Sequence, residues 1–207
     1  HDGGFALFGF QYYENDTTKY YLVKTDTAGV EQWHQSYVLD EHSVGLSFQQ
    51  TADGGYILGG YGYSNATQYD TYIIKTDSLG FVEWTNNFGG QYNDCGGTVN
   101  LLANGQYLVL GCDYTSDFFD RYLRLTKLNS AGTIVLDTVY YNKDYKAQQT
   151  PAVFLSDSTF VFLTYTFSNI TGRVVNVMLH CDLSGNILWE QEFSSNLNED
   201  CYLKDLR

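Results

Sequence analysis

The 207-residue chain carries 11 basic and 24 acidic residues, a formal net charge of −13, and is 43% hydrophobic and 17% aromatic. That apolar content excludes a disordered tail, the length allows one domain with a real core, and the negative field argues against nucleic acid and anionic membranes as partners. One Pro, 19 Tyr, 13 Phe and 20 Gly suit short strands and tight turns, and no apolar run reaches the ~18 residues of a membrane-spanning helix.

In chain order, Asp2-Gly3-Gly4-Phe5-Ala6-Leu7-Phe8-Gly9 opens a pattern that returns as Asp53-Gly54-Gly55-Tyr56-Ile57-Leu58-Gly59-Gly60. It returns again as Asn104-Gly105-Gln106-Tyr107-Leu108-Val109-Leu110-Gly111, with a degenerate copy at Asp157-Ser158-Thr159-Phe160. The copies start at positions 2, 53, 104 and 157, in steps of 51, 51 and 53. A second landmark holds the same phase: Lys24-Thr25-Asp26, Lys75-Thr76-Asp77, Lys127-Leu128-Asn129 and His180-Cys181-Asp182. Each ends three residues before a glycine (Gly29, Gly80, Gly132, Gly185), and Trp33, Trp84, Leu136 and Trp189 follow four residues after it. Two landmarks in phase through four copies mark an array of like units.

Within the second copy, strands are predicted over 43–50, 55–61, 70–76 and 81–88. An Asp53-Gly54 turn, a polar loop near 64–68 and a turn over 77–80 join them. Four short antiparallel strands in about 50 residues make one propeller blade. The expected fold is therefore all-β, a β-propeller of four-stranded blades with four blades visible. The units fall at about 1–42, 43–93, 94–146 and 147–198, and 199–207 reads as an inner strand of the first or next blade. Two closures stay open: a four-bladed ring sealed by 199–207, or a larger ring of which this is a piece. The chain opens on His1 and carries no recognisable leader or sorting tail, as a processed or excised piece would. The repeated Asp, Gly and Trp are expected to be architecture: turn formers, close approaches near the axis (Gly59-Gly60, Gly96-Gly97) and plugs between blades.

The runs 56–61 and 70–77, followed by Val82-Glu83-Trp84, resemble the kelch repeat. They are closer still to the secreted bacterial propeller repeat common in cargo of the type IX secretion system. The likeness covers the whole chain and is strongest in the second copy. It implies an extracellular or cell-surface protein. Leu136 in place of Trp, and Asp157-Ser158-Thr159 in place of Asp-Gly-Gly, depart from the pattern. The turn from Asp182 to Trp189 also resembles quinoprotein propellers, but the rest of their site is not recognisable, so no cofactor is expected.

The cysteines are Cys95, Cys112, Cys181 and Cys201, without C-x-x-C or histidines at zinc spacing, so no metal is expected. Cys95 and Cys112 flank the Asn104-Gly105 hairpin and can pair across strands; Cys181 and Cys201 can meet similarly; four free thiols are the alternative. The inner strands open with polar residues, of which His42, Asp94 and Asp200 would ring a channel mouth and bind a cation or small polar ligand. Tyr13, Tyr63 and Tyr114 sit beside polar loops and suit contact with carbohydrate or protein. Asn15, Asn65 and Asn169 form N-x-T sequons at one repeat position, which turn chemistry accounts for. Asp26-Thr27-Ala28 and Asp77-Ser78-Leu79 match a short O-glycosylation signal, although the same residues build the turns. The expected function is a non-catalytic surface module for binding or scaffolding, with a protein or carbohydrate partner. The alternatives are a glycan-acting enzyme using Asp94 and Asp200, and a structural subunit of a surface filament or layer.

Overall fold

The computed structural model describes residues 3–12, 17–39, 42–64, 68–114, 121–140, 152–155, 158–167 and 172–193. Among these residues the chain is all-β, with fifteen strands in antiparallel sheets of seven, four and four. The strands come as four consecutive meanders. The first is β1 (Ala6–Tyr12), β2 (Thr18–Thr25) and β3 (Glu31–Tyr37). The second is β4 (His42–Gln50), β5 (Tyr56–Ser64), β6 (Gln68–Thr76) and β7 (Val82–Phe88). The third is β8 (Asp94–Leu101), β9 (Tyr107–Tyr114), β10 (Arg121–Leu128) and β11 (Ile134–Val139). The fourth is β12 (Val153–Phe154), β13 (Thr159–Phe167), β14 (Val174–Asp182) and β15 (Ile187–Phe193). The four strands predicted in the second copy all form, the first and third starting slightly earlier and the second running on to Ser64.

Burial explains why these segments are strands and why they differ. The outermost strands β3 and β7 alternate exposed and half-buried residues, as a strand with one solvated face should. The middle strands of the second and third units are buried on both faces, because each of these units packs against a neighbour on either side. Tyr56, Leu58 and Ile74 pack backward onto Tyr20 and Leu22 of the first unit. Ile57 and Ile73 pack forward onto Val99 and Val109 of the third. Leu108, Leu110, Leu123 and Leu125 meet Phe160, Phe162 and Leu179 of the fourth. The core is thus three apolar layers between four units, with each fully buried Leu, Ile or Phe contributing roughly 1.5–3 kcal/mol.

The Asp-x-x-Gly turns are built alike in all four units. Asp26 Oδ1 accepts from the backbone N–H of Ala28 and Val30 at 2.8 and 2.9 Å. Asp77 does so from Leu79 and Phe81, Asn129 from Ala131 and Thr133, and Asp182 from Ser184 and Asn186. One carboxylate or amide oxygen capping two donors sets the turn before any tertiary contact forms. The turns of the second, third and fourth units then receive the outer strand of the unit before them. A Cβ on Gly80 would strike the Trp33 ring, and one on Gly132 would strike Trp84. Tyr37 donates to Gly80 O at 2.8 Å, Asn86 to Gly132 O at 2.7 Å and Tyr140 to Gly185 O at 2.6 Å.

Near the inner strands the backbones themselves touch. A Cβ on Gly59 would run into the carbonyl oxygen of Gly97, which sits at φ 112°. Gly59→Ala is therefore expected to cost about 2–3 kcal/mol, because backbone on both sides must move. Urea unfolding of the variant checks this; an unchanged midpoint would contradict the close approach.

A closed four-bladed ring is not formed among the described residues. No strand pairing joins the fourth unit to the first, and the backbone pairing that links units is a single parallel bridge, Thr18 to His42. It is backed by the Ser43 N–H donating to Thr18 Oγ1 at 2.8 Å. In keeping with this, β15 and β1 both present exposed large apolar side chains. Residues 199–207, expected to supply an inner strand, lie outside the described residues.

Candidate functional site

The candidate residues gather at one end of the second and third units. His42 opens β4 and pairs across the ladder with Tyr63 near the end of β5. Their rings are 6.4 Å apart, and Tyr63 stands 5.0 Å from Tyr69, its cross-strand partner on β6. Tyr61, two residues back on the same face, is 5.7 Å from Tyr69. All four side chains are half-buried. Burial, reinforced by Tyr69 and Tyr114, pushes the Tyr61 hydroxyl above its ordinary range. Tyr114 is tied in by Asn93, whose carbonyl accepts from the Tyr114 N–H at 3.2 Å while its side chain accepts from the Tyr69 N–H at 3.2 Å. Of the sequence candidates, His42, Tyr63 and Tyr114 therefore share one end of adjacent units. Tyr13 and Asp200 lie outside the described residues, as do the sequons at Asn15, Asn65 and Asn169.

Asp94 is placed differently from a mouth-lining residue. It is fully buried, and its Oδ2 accepts a short hydrogen bond from the Gly90 N–H. Its ladder partner is Asp113, so two carboxyls leave the sheet side by side. A Cβ on Gly89 would strike the carboxyls of Asp70 and Asp94, so those two flank that glycine. Three buried carboxyls thus crowd one spot, where the small Gly89-Gly90 pair leaves them room.

The counter-charge is Arg124 of β10, itself buried. Its Nη1 lies 3.8 Å from Asp94 and 4.0 Å from Asp113, while Nε and Nη2 grip Asp137 in a fork at 2.9 and 2.6 Å. Thr126 donates to the same Asp137 carboxylate at 2.9 Å, and the guanidinium carbon sits 5.9 Å from the centre of the Phe88 ring. Burial disfavours the Asp137 anion, but the Arg124 bonds outweigh it and hold that carboxyl below its usual range. One guanidinium does not balance the whole set. Burial above all, with Asp113 beside it, pushes Asp94 up to about 7 against the pull of Gly90 and Arg124. Asp94 therefore keeps a proton close to neutral pH. Among the described residues, no group of three or more His, Cys, Asp or Glu is arranged to hold a metal ion.

The cysteine expectations divide. Cys95 and Cys112, adjacent to the Asp94–Asp113 pair on the same ladder, form a disulfide. Cys181, for which pairing with Cys201 and a free thiol were both open, is a free thiol sunk in the core between the third and fourth units. Burial pushes it up to about 12, so it packs as an apolar group. Cys201 lies outside the described residues. Asp26 and Asp77 of the O-glycosylation signals use their carboxylates to hold turns, with Thr27 and Ser78 exposed beside them.

Sequence reading missed Asp70, Asp113, Arg124 and Asp137. A signal was present. The third copy places Asp113, Arg124 and Asp137 where the second has Gly62, Tyr72 and Thr85. Charges of both signs entering one copy together mark a mutual partner set rather than drift.

No family model matches the chain, and no curated protein matches it. Among solved structures, one described as a eukaryotic initiation factor superposes with a TM-score of 0.45 at 11% identity, covering 91% of this chain. This chain spans about half of that one, 52% of its length.

Proposed function

We propose that the four units are consecutive blades of a β-propeller, and that the chain is a cell-surface module for binding or scaffolding, with its contact surface at the aromatic end. The observation that carries this reading is the half-buried cluster of His42, Tyr61, Tyr63 and Tyr69. Ring faces with hydroxyls at their edges give apolar contact and hydrogen bonding at little entropic cost, which suits a sugar or a protein loop. The repeated Asp, Gly and Trp serve turns and unit contacts, so binding falls to other residues. The Cys95–Cys112 disulfide is compatible with an oxidising, extracellular setting. Likeness to the secreted type IX cargo repeat supports the same placement.

A glycan array probed with the chain and with Tyr63→Ala tests the reading. Binding that falls roughly tenfold in the variant supports it. No hit, or hits unchanged by the variant, would overturn the carbohydrate form.

A further inference from the structure

The joint between the second and third units is built differently at its two ends. Toward the hairpin turns it is apolar, with Ile57 and Ile73 on Val99 and Val109. Two bonds between the inner strands back that layer. The Val99 N–H donates to Ser47 Oγ at 3.1 Å, and the Leu101 N–H to Gln49 Oε1 at 2.8 Å. Toward the aromatic end the joint is held by polar groups instead. The Tyr69 N–H of the second unit donates to Asn93 Oδ1 at 3.2 Å, and the residue after Asn93 is Asp94.

Asp94 meets carboxyls from both sides of this joint. Asp113 of β9 is its ladder partner within the third unit. Asp70 of β6 belongs to the second unit, and its carboxyl and that of Asp94 close on one point beside Gly89. All three residues are buried, so a charge there is weakly screened. Arg124 of β10 faces them, but its Nε and Nη2 are committed to Asp137 of β11. Its Nη1 stays 3.8 Å from Asp94 and 4.0 Å from Asp113, without a hydrogen bond among the described residues. Asp94 and Asp113 are kept from separating, because the next step of their ladder is the Cys95–Cys112 disulfide. Repulsion from a charge on Asp94 is therefore relieved by moving the unit that carries Asp70.

We propose that this joint is a proton-controlled latch, closed while Asp94 holds its proton and loosened at the aromatic end when Asp94 ionises. The apolar layer near the turns acts as the hinge. Burial pushes Asp94 up to about 7, so the closed joint binds the proton more tightly than an open one does. Closure is thus favoured at low pH and weakens as pH rises through about 7. The Asn93–Tyr69 bond spans the joint one residue from the charge, so it parts first, and the Tyr69 wall of the aromatic end moves with it. The latch rests on the joint alone and stands whether or not the aromatic end binds a ligand.

Amide exchange, followed residue by residue by NMR at pH 6 and pH 8, tests it, with each rate taken relative to the unstructured chain. In the open joint Asp94 is ionised at both pH values, whereas in the closed joint it gives up its proton between them. The protection of the Tyr69 N–H is therefore expected to fall about tenfold, and that of the Leu101 N–H, at the hinge, by less than about twofold. Asp94→Asn is expected to abolish the fall. Asp70→Asn leaves the Asp94–Asp113 pair intact and is expected to reduce the fall to about threefold or less. Both changes keep the side-chain shape, circular dichroism checks the fold, and the wild-type comparison needs no variant. An unchanged Tyr69 protection, an equal fall at Leu101, or a fall undiminished in either variant would each overturn the latch.

Discussion

Replacing Arg124 with Met is expected to lower folding stability by about 3–5 kcal/mol. The side chain is buried, and it faces Asp94, Asp113 and Asp137. Methionine fills the volume of the stem, so the loss reads the charge rather than a cavity. Without the guanidinium, Asp137 loses the fork at 2.6 and 2.9 Å that holds it ionised, and Asp94 and Asp113 face each other without a cation. Uncompensated carboxylates in a dry site must either take up protons or open the structure. Urea unfolding at neutral pH measures the loss. The double variant Arg124→Met with Asp94→Asn should recover part of it, because removing one carboxylate relieves the excess. A loss below about 1 kcal/mol would show the four groups to be solvated and independent.

The second large effect is a pH dependence lodged in one residue. Asp94 has a folded-state pKa of about 7 against an ordinary value of 3.8. The folded chain therefore binds this proton more tightly than the unfolded chain does. The stability it confers is complete below about pH 4 and is lost as pH rises through about 7. Holding Asp94 charged at pH 8 costs on the order of 4 kcal/mol. Asn at position 94 copies the protonated form: its oxygen can still accept from Gly90, and its amide can donate toward Asp113. Asp94→Asn is thus expected to exceed the wild type by a margin that widens from pH 5 to a few kcal/mol at pH 8. Thermal unfolding of both proteins from pH 5 to 8 reads the difference. A constant gap across that range would mean that Asp94 stays ionised in the fold.

The turns and unit contacts were legible because their cause is local or repeated. Asp26, Asp77, Asn129 and Asp182 cap backbone donors two and four residues ahead, which any one copy of the sequence encodes in full. Trp33 and Trp84 announce themselves by phase, and the structure lays each on the glycine turn of the following unit. The charged cluster was hidden for the opposite reason. Arg124, Asp94, Asp113 and Asp137 come from four strands of one unit, and only the ladder register brings them together. The repeat alignment also misdirects there, because it files Asp94 as a channel-mouth residue by its place at the start of an inner strand. Its carboxyl turns inward instead, under the Gly89-Gly90 backbone. Hairpin spacing offers the Cys95–Cys112 pairing beside free thiols, and the antiparallel ladder, close in sequence, brings the two together. The burial of the Cys181 thiol was not legible, since burial at a unit junction is a property of the packed array.

A crystal structure of the 207-residue chain tests the central reading most directly, by locating β4, β8 and β12 relative to one another. The propeller reading requires these three strands to be innermost, facing a common axis, with successive units rotated about it. Units stacked in a straight row, or folded face to face as two sheets of a sandwich, would contradict it.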